Sequence, residues 1–478
     1  MNFKQNQILL LGFFRINDPY RILILFLAVF LLRLPYLIGS EPLVYETNWL
    51  LIGEALNSGK GLYKDLVSPI APLSAWVYMV VEYIFGKSIL ALQILSILIV
   101  TYQFSLFNNI MLRNKAYHEN SYIPALIYAL MMFTFYDFFT FSPALISLTF
   151  ILLVLDNIYL RIENKLNDVT ILKTGLFMGI AVLFYLPSII FFVATILSFA
   201  MLTSLVLRRY LLFLYGFIFP FGIVFIYFFW QGSLENLITQ WIEFNFLGQI
   251  NPIVNYKSIL IILILPVFIF LISLYKTFTA GRFTNYQVRV QQVMFIMFLA
   301  AFGSWWISEE KAPNELLLFV PSFAFFITHF ILQFNKKNRA EIFTLVFSIL
   351  LIGIGYSLFY QNTPLHEFGD FNKLKTSNSI YHQQLKNKKA MILGANPAVY
   401  MEAKLMATKF YHPELSNRIL NEMSEKERII EFYDDIQNHQ PDIIIDLDGH
   451  FINTFSKLPL LELKYKRMNE NSFLLSQE

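Results

Sequence analysis

The sequence predicts a polytopic α-helical membrane protein with a small α/β domain at its C-terminal end. Of the 478 residues, 56% are hydrophobic, 17% are aromatic and only 14% are charged. This composition leaves too little polar surface to cover a water-soluble globule of that length. Long apolar runs recur up to about residue 360, and the composition then changes to mixed charge. The runs lack the strict alternation of barrel strands, so we expect helices.

The apolar runs have the length that an α-helix needs to cross about 30 Å of hydrocarbon. A further apolar stretch, 71–86, would add a crossing and invert the topology of the chain unless it is partly embedded on the outer side or pairs with an unrecognised span. We therefore predict about 11 to 13 transmembrane helices. The predicted spans are 20–38, 88–112, 122–136, 143–160, 172–186, 187–207, 210–230, 256–275, 289–306, 315–333 and 340–360.

Lys and Arg collect in alternate turns between these spans, which the positive-inside rule assigns to the cytoplasm. The N-terminus is then inside, and we expect a multi-pass protein of the bacterial inner (cytoplasmic) membrane whose tail beyond residue 361 is periplasmic. The predicted outer loops are 39–70, 137–142, 231–255 and 307–314.

Two domains are predicted, a transmembrane domain over 1–360 and a soluble α/β domain over 361–478 on the outer face. In the second domain, alternating and helical periodicities predict two strands, two helices and two further strands in the tail. The predicted segments are strands at 389–394 and 441–446, helices at 398–408 and 424–438, and the strands of the tail within 461–475.

Several function classes are disfavoured by composition and spacing. The net charge is only +3 and no cluster of basic residues tracks a phosphate backbone, so nucleic acid is not an expected partner. The chain has no cysteine and its seven histidines show no paired spacing, so no zinc site is predicted. The turn Gly394-Ala395-Asn396-Pro397 lacks the glycines of a dinucleotide-binding loop. Asp442, Asp446 and Asp448 lack a ligand partner at binding spacing. We predict no cofactor and leave a divalent metal open.

The first outer loop carries the most specific motif of the chain. Arg33-Leu34-Pro35 ends a span, Tyr45-Glu46 follows as an acidic centre, and Gly61-Leu62-Tyr63-Lys64-Asp65 and Ala71-Pro72-Leu73 lead back to apolar sequence. This order resembles GT-C membrane glycosyltransferases, in particular the protein O-mannosyltransferase and aminoarabinose-transferase branch. The resemblance covers most of the chain and implies a GT-C-like fold, a polyprenyl-phosphate lipid partner and sugar transfer on the outer face.

In that branch an Asp-Glu pair opens the helix of the first loop, and the Asp acts as a base or in the acceptor and metal environment. This chain has Tyr45-Glu46 at that place. A second acid of the family falls on Ser142, with Asp137 nearby. The family's basic residue, which would meet the lipid phosphate, falls on Ile70, and Lys64 is the closest substitute.

Sugar transfer needs a carboxylate to deprotonate the acceptor and a cation or hydrogen-bond donors to stabilise the leaving phosphate. The resemblance therefore gives Glu46 as the first candidate catalytic residue. An alternative is that Glu46 only caps a helix at its first turn. The further candidates are Asp65 and Asp137 as catalytic residues, and Tyr45, Glu41, Lys64 and Lys311 as substrate-binding residues.

Lys311 is the only cation of the outer loop 307–314. Glu309 and Glu310 beside it favour its neutralisation over contact with a phosphate. Trp305 and Trp306 are interpreted as anchors at the membrane interface.

Two hypotheses follow. In the first, the protein is a GT-C-like glycosyltransferase that uses a polyprenyl-phosphate-linked sugar and an outer cavity formed by loops 39–70, 137–142 and 307–314. In the second, it is a catalytically silent membrane subunit or scaffold of an envelope complex, which binds a protein partner through the C-terminal domain, with helix 424–438 as the contact. A transporter is disfavoured because no internal repeat is visible.

Overall fold

The structure is a computed structural model that describes most of the chain. The predicted residues Ala395, Asn396 and Asp448 lie outside the part that it describes. The described residues are 10–39, 41–162, 167–202, 206–248, 252–280, 283–360, 368–376, 382–394, 397–447, 449, 457–469 and 472–475.

The described part of the chain is predominantly helical. Up to residue 359 its α-helices are α1 (Leu10–Phe14), α2 (Tyr20–Gly39), α3 (Val44–Asn57), α4 (Pro72–Phe85), α5 (Ile89–Arg113), α6 (Ile123–Met132), α7 (Pro143–Ile162), α8 (Asp168–Phe184), α9 (Ile189–Leu202), α10 (Leu207–Trp230), α11 (Leu234–Leu237), α12 (Phe244–Leu247), α13 (Tyr256–Ala280), α14 (Asn285–Ile307), α15 (Val320–Leu332) and α16 (Lys337–Phe359). Between them lie a π-helix at Ile238–Glu243 and 3₁₀ helices at Tyr136–Phe139, Leu186–Ser188 and Pro313–Phe319.

Within the described residues, eight helices are long and apolar enough to cross a membrane by length and composition. The protein is thus a multi-pass α-helical membrane protein, as predicted. The predicted spans 122–136, 172–186 and 187–207 each contain an α-helix within the described residues. Their helices α6, α8 and α9 have 10, 17 and 14 residues, less than the roughly 20 that a perpendicular crossing needs. The total of 11 to 13 crossings stays a prediction.

The chain folds into two compact units. The first contains Met1–Ser40, Gln93–Ile223 and Gln249–Lys373, and the second contains Glu41–Leu92, Val224–Gly248 and Leu374–Glu478.

Close helix contacts shape the first unit. In α8 and α10 the glycines Gly175, Gly179 and Gly216 lie against the facing backbone, and a Cβ added at Gly216 would stand 2.3 Å from the carbonyl oxygen of Leu172. Only glycine permits this approach, because the van der Waals contact of a methyl group needs more than 3 Å.

Helix α4 covers the apolar stretch whose crossing the sequence left open. Its 14 residues span about 21 Å, which is less than the hydrocarbon thickness. Both of its flanks contact the C-terminal part of the second unit: Val67 donates its N–H to the carbonyl oxygen of Lys409 at 3.0 Å, and Lys87 donates to that of Ala403 at 3.4 Å. Both flanks of the helix are thus tied to residues of the same compact unit, and the partial embedding of the stretch stays a prediction. Its exposed apolar side chains fit the predicted partial embedding; they are Val80, Tyr83, Ile84 and Phe85.

The C-terminal residues of the second unit form the predicted small α/β lobe. A five-stranded sheet has the order β2-β1-β3-β5-β4; β1 pairs in parallel with β2 and β3, and β5 pairs antiparallel with β3 and β4. The elements are α17 (His382–Leu385), β1 (Lys389–Leu393), a 3₁₀ helix (Pro397–Glu402), β2 (Leu405–Met406), α18 (Pro413–Glu422), α19 (Glu425–His439), β3 (Ile443–Asp446), α20 (Pro459–Lys464), β4 (Tyr465–Asn469) and β5 (Ser472–Leu475).

One predicted element of the lobe is wrong. The helix expected at 398–408 is a short 3₁₀ helix followed by the edge strand β2. The Tyr400 hydroxyl of this 3₁₀ helix bonds to the main chain of Ile392 in β1 at 2.5 and 2.6 Å. Leu405 then pairs with Lys389 of β1. Helix α18, by contrast, was not predicted.

The hydrophobic core of the lobe also includes side chains from the segments 39–70 and 231–255, which the sequence predicts as outer loops. Val67 and Phe244 are buried in the same cluster as Met391, Phe432 and Ile444. The predicted domain boundary at residue 360 stays a prediction, but this core shows that the lobe is completed by residues from two earlier loops.

Candidate active site

Glu46 lies in the first turn of α3 and is buried, with 1% of its surface exposed. Its Oε2 accepts the backbone N–H of Leu43 at 3.3 Å, so the carboxylate satisfies one of the N–H groups that precede the helix. Leu43 forms an antiparallel bridge with Lys375, and Thr376 donates its N–H to the carbonyl oxygen of Pro42 at 3.0 Å. Backbone contacts of Pro42 and Leu43 with Lys375 and Thr376 therefore hold the start of the helix that carries Glu46.

Tyr45 is buried at the same helix start and begins a row of aromatic rings. Its ring centroid is 5.4 Å from that of Trp49, which stacks on Tyr78 of α4 at 5.3 Å and an interplanar angle of 4°. Gly53 allows this proximity of α3 and α4, because a Cβ there would lie 2.5 Å from the Tyr78 carbonyl oxygen. Packing of large aromatic faces holds the first turn of α3 in place.

Glu41 lies at the entry to α3, and its carboxylate is 4.0 Å from the ammonium of Lys375. The Glu41 side chain is 56% exposed, whereas that of Lys375 is only 9% exposed. Burial lowers the pKa of Lys375, and the charge of Glu41 opposes this shift.

Asp65 and Lys64 lie in the predicted first outer loop, 39–70, but in different surroundings. The Asp65 carboxylate accepts the N–H of Gly61 at 2.9 Å, and its own N–H bonds to the Gly61 carbonyl oxygen at 2.8 Å, so Asp65 closes a turn. Lys64 is exposed within that turn. The neighbouring Lys60 instead turns into the lobe, where its ammonium donates to the carbonyl oxygens of Met406 and Thr408 at 2.8 and 3.1 Å.

Asp137 lies in the first unit, in the 3₁₀ helix Tyr136–Phe139, and is fully buried. Its Oδ1 accepts the hydroxyl of Thr140 at 3.3 Å. Arg33 of α2 donates to the carbonyl oxygen of Tyr136 at 3.0 Å, and its guanidinium lies over the rings of Tyr36 and Phe139 at 4.2 and 4.5 Å. Such stacking suits a planar cation in an apolar setting.

Lys311 is buried and has a left-handed backbone with φ of 48°. Its ammonium donates to the carbonyl oxygens of Trp305, Trp306 and Ser308 at 2.9, 2.5 and 2.7 Å, and so it caps the end of α14. Burial lowers the pKa of Lys311. An ammonium has three donors, and all three are accounted for here. Contact with a phosphate stays a prediction that this geometry does not favour.

A further buried carboxylate, which the sequence does not single out, is Glu315 in the 3₁₀ helix Pro313–Phe319. Its Oε1 accepts the hydroxyl of Ser308 at 2.5 Å, and Tyr185 lies beside it. This 3₁₀ helix packs against the one that contains Asp137. The signal was weak, since Glu315 follows a proline at the start of an apolar run and resembles an ordinary helix start.

Gln240 is a second residue that the sequence does not single out, and it bonds to the backbone of Tyr63 and Ser68. Nothing in the run Ile238–Glu243 marks this side chain as different from a surface glutamine. Among the described residues, no group of three or more His, Asp or Glu side chains is placed to hold a metal ion.

The fold defines the class of protein: this is a multi-pass membrane protein with the GT-C-like fold, as the sequence resemblance predicts. Its fold is similar to that of ArnT, an aminoarabinose transferase, from Cupriavidus metallidurans. The crystal structure of ArnT bound to undecaprenyl phosphate matches with a TM-score of 0.57 and 12% identity, over 96% of this chain and 98% of ArnT. The apo structure matches with a TM-score of 0.56 and 13% identity, over 95% and 97%. No protein-family model and no curated protein matches the sequence.

Proposed function

We propose that this protein is a glycosyltransferase that moves a sugar from a polyprenyl-phosphate carrier to an acceptor at the outer face of the bacterial inner membrane. The observation that carries the proposal is the ArnT-like fold, which extends over 96% of this chain and 98% of a protein crystallised with undecaprenyl phosphate. A fold hosts many functions, so the proposal also requires a base and a cation among the outer-loop residues.

In the proposed reaction, a hydroxyl or amino group of the acceptor attacks C1 of the sugar. The bond between C1 and the phosphate oxygen breaks, and the polyprenyl phosphate leaves with the electron pair. The proton of the acceptor goes to a carboxylate, for which Glu46 is the first candidate and Asp65 and Asp137 are the others. Lys64 stabilises the charge on the leaving phosphate.

The surroundings of these residues support the assignment. Glu46 is enclosed by protein at a helix start that the Leu43 bridge to Lys375 holds in place, as a positioned base requires. Lys64 is exposed, so a lipid phosphate can reach its ammonium. Tyr45 and Glu41 precede Glu46 in the chain and are the proposed contacts to the sugar.

The outer location is supported by the composition of the second compact unit. The loops predicted outside at 39–70 and 231–255 contribute residues to the unit that contains the C-terminal lobe. A water-soluble lobe that shares a core with these loops lies on their side of the membrane.

The test is a comparison of Glu46→Gln with Glu46→Ala in nanodiscs that contain undecaprenyl-phosphate-linked sugars, with release of undecaprenyl phosphate as the readout. The amide oxygen of glutamine still accepts the Leu43 N–H but cannot take a proton. We therefore expect Glu46→Gln to abolish turnover at unchanged melting temperature, whereas Glu46→Ala also lowers stability by about 1 kcal/mol. Glu422→Gln on the exposed surface of α18 is the matched control.

The second candidate function, a catalytically silent subunit of an envelope complex, is favoured by the bond between Glu46 and the Leu43 N–H. That bond gives Glu46 a structural reason to be present. Full turnover in Glu46→Gln would leave only the capping role for this residue. A stable partner that co-purifies with a wild-type protein unable to turn over any sugar lipid would support the subunit.

A further inference from the structure

The loop of residues 59–71, here the 59–71 loop, contains a strained residue at its centre. Tyr63 has φ of 63°, in the left-handed region that bulky side chains rarely adopt, and its side chain is fully buried. A residue keeps such a strained backbone conformation only when contacts with its surroundings hold it there. The contacts of the 59–71 loop therefore have to supply that constraint.

Gln240 supplies the central constraint. Its Nε2 donates to the carbonyl oxygen of Tyr63 at 2.9 Å, and its Oε1 accepts the N–H of Ser68 at 3.1 Å. Only one orientation of the amide satisfies both bonds, because the carbonyl oxygen needs a donor and the N–H needs an acceptor. The side chain of Gln240 thus bridges two backbone groups five residues apart and sets the width of the loop.

The π-helix Ile238–Glu243 brings Gln240 to this position. Gln240 and Trp241 are both buried within it, and the widened turn directs two consecutive side chains inward. Asn245 follows and donates to the carbonyl oxygens of Trp241 and Pro69 at 2.7 and 3.1 Å. The same short segment therefore holds the 59–71 loop at Tyr63, Ser68 and Pro69.

The C-terminal lobe holds the loop from another side. The hydroxyls of Tyr411 and Ser68 bond at 2.9 Å, and the N–H of Val67 bonds to the carbonyl oxygen of Lys409 at 3.0 Å. Tyr63 also closes the loop on itself, because its hydroxyl donates to the carbonyl oxygen of Ile70 at 2.5 Å.

Lys64 is the residue that these contacts present to solvent. Tyr63 before it is fixed by Gln240, and Asp65 after it is fixed by the Gly61 N–H, whereas the Lys64 side chain is exposed. A cation on a fixed backbone loses less conformational entropy when it binds an anion than one on a mobile loop.

We propose that Gln240 is a positioning residue for the polyprenyl phosphate: it holds the backbone on which Lys64 meets the phosphate, and it does so without contact to the lipid. The inference rests on the proposed function, since that function gives Lys64 its ligand. It adds a residue from a distant loop to the phosphate site and makes the π-helix a support of that site.

The experiment is a double-mutant cycle with Gln240→Met and Lys64→Met, in which affinity for undecaprenyl phosphate is measured in nanodiscs against undecaprenol, which lacks the phosphate. Amide hydrogen exchange at Ser68 is followed in the same samples. We expect Gln240→Met to speed this exchange about tenfold and to weaken phosphate-dependent binding nearly as much as Lys64→Met. The double variant is expected to bind no more weakly than Lys64→Met alone.

Tyr411→Phe is a milder second variant that removes one hydroxyl and keeps the ring, in case Gln240→Met does not fold. Like Gln240→Met, it should speed amide hydrogen exchange at Ser68. Gln231→Met and Tyr433→Phe, which alter other residues of the second unit, are the matched controls and should leave the exchange at Ser68 unchanged.

The outcomes separate the inference from the function. Unchanged exchange at Ser68, or additive losses of affinity in the double variant, would overturn the positioning role while Lys64 keeps its ligand. Equal affinity of wild type and Lys64→Met would instead overturn the assignment of the phosphate to Lys64, and with it the role of Gln240 toward that ligand.

Discussion

The ammonium of Lys60 lies 2.8 Å from the main-chain carbonyl oxygen of Met406 and ties the first outer loop to an edge strand of the C-terminal lobe. The same ammonium bonds to the carbonyl oxygen of Thr408, whose hydroxyl donates to the buried carboxylate of Asp435 at 2.6 Å. Burial lowers the pKa of Lys60 to about 8, against the opposing charge of Asp435. Burial disfavours the charge of this ammonium, and the two carbonyl oxygens stabilise it by accepting hydrogen bonds from its N–H groups.

Replacement of Lys60 by Met is expected to lower the stability of the lobe by about 1 to 3 kcal/mol, since two buried carbonyl groups lose a charged donor. The measurement is the melting temperature in detergent together with the cleavage rate of the lobe by protease. Lys426→Met on the exposed face of α19 is the control. Equal melting temperatures for the two variants would contradict a structural role for the Lys60 contacts.

A pH dependence is expected from His412, which is buried at the start of α18. Its Nδ1 accepts the N–H of Leu415 at 3.3 Å, and burial lowers its pKa to about 4, from the usual value of about 6.5. At pH values between these two pKa values, His412 is therefore protonated in the unfolded chain and neutral in the folded one. Stability is complete above about pH 6.5 and falls as the pH drops towards 4, by at most about 3 kcal/mol.

An asparagine at this position still accepts the Leu415 N–H but does not titrate. The variant His412→Asn therefore isolates the contribution of His412 protonation to the pH dependence of stability. The difference in melting temperature between wild type and His412→Asn should shrink or reverse as the pH is lowered from 7 to 4. A difference that stays constant over that range would show that His412 does not titrate with a lowered pKa.

The close approach of α8 and α10 predicts a sharp difference between two glycines of one helix. A Cβ at Gly216 would stand 2.3 Å from the Leu172 carbonyl oxygen, whereas nothing lies within 4 Å of one at Gly222. Gly216→Ala should destabilise the protein by about 1 to 3 kcal/mol through overpacking. Gly222→Ala should be neutral or slightly stabilising because alanine favours the helix. The measurement is thermal unfolding of both variants in the same detergent. Equal changes in melting temperature would refute the close contact of α8 and α10.

The absence of cysteine from the sequence makes the topology directly measurable. A single cysteine at Glu422 of the lobe should react with a membrane-impermeant maleimide in intact spheroplasts. One at Lys337, which begins α16, should react only after lysis. The reverse pattern would place the lobe in the cytoplasm and remove the proposed reaction from the outer face.

Part of the candidate site was accessible from the sequence. Glu46 and Lys64 were singled out because the order of residues in their loop resembles that of the GT-C family, and their roles stay predictions. The cap at Leu43 was anticipated as an alternative from the position of Glu46 in a first turn. The carbonyl contacts of Lys311 were not foreseen, since they depend on a left-handed backbone at that residue, which a sequence read for charge alone does not reveal.

The sequence by itself determined the class of this protein: a membrane protein of many helices with a small α/β lobe. Partition into a bilayer depends on the summed apolarity of one continuous segment, so each span and the change near residue 361 can be recognised locally. Only the tertiary structure decided which polar groups meet. Gln240 and Tyr63 are 177 positions apart, and Lys60 and Met406 are 346 apart. Hydrogen bonds between such groups depend on the path of the whole chain, and no local property of either residue encodes its partner.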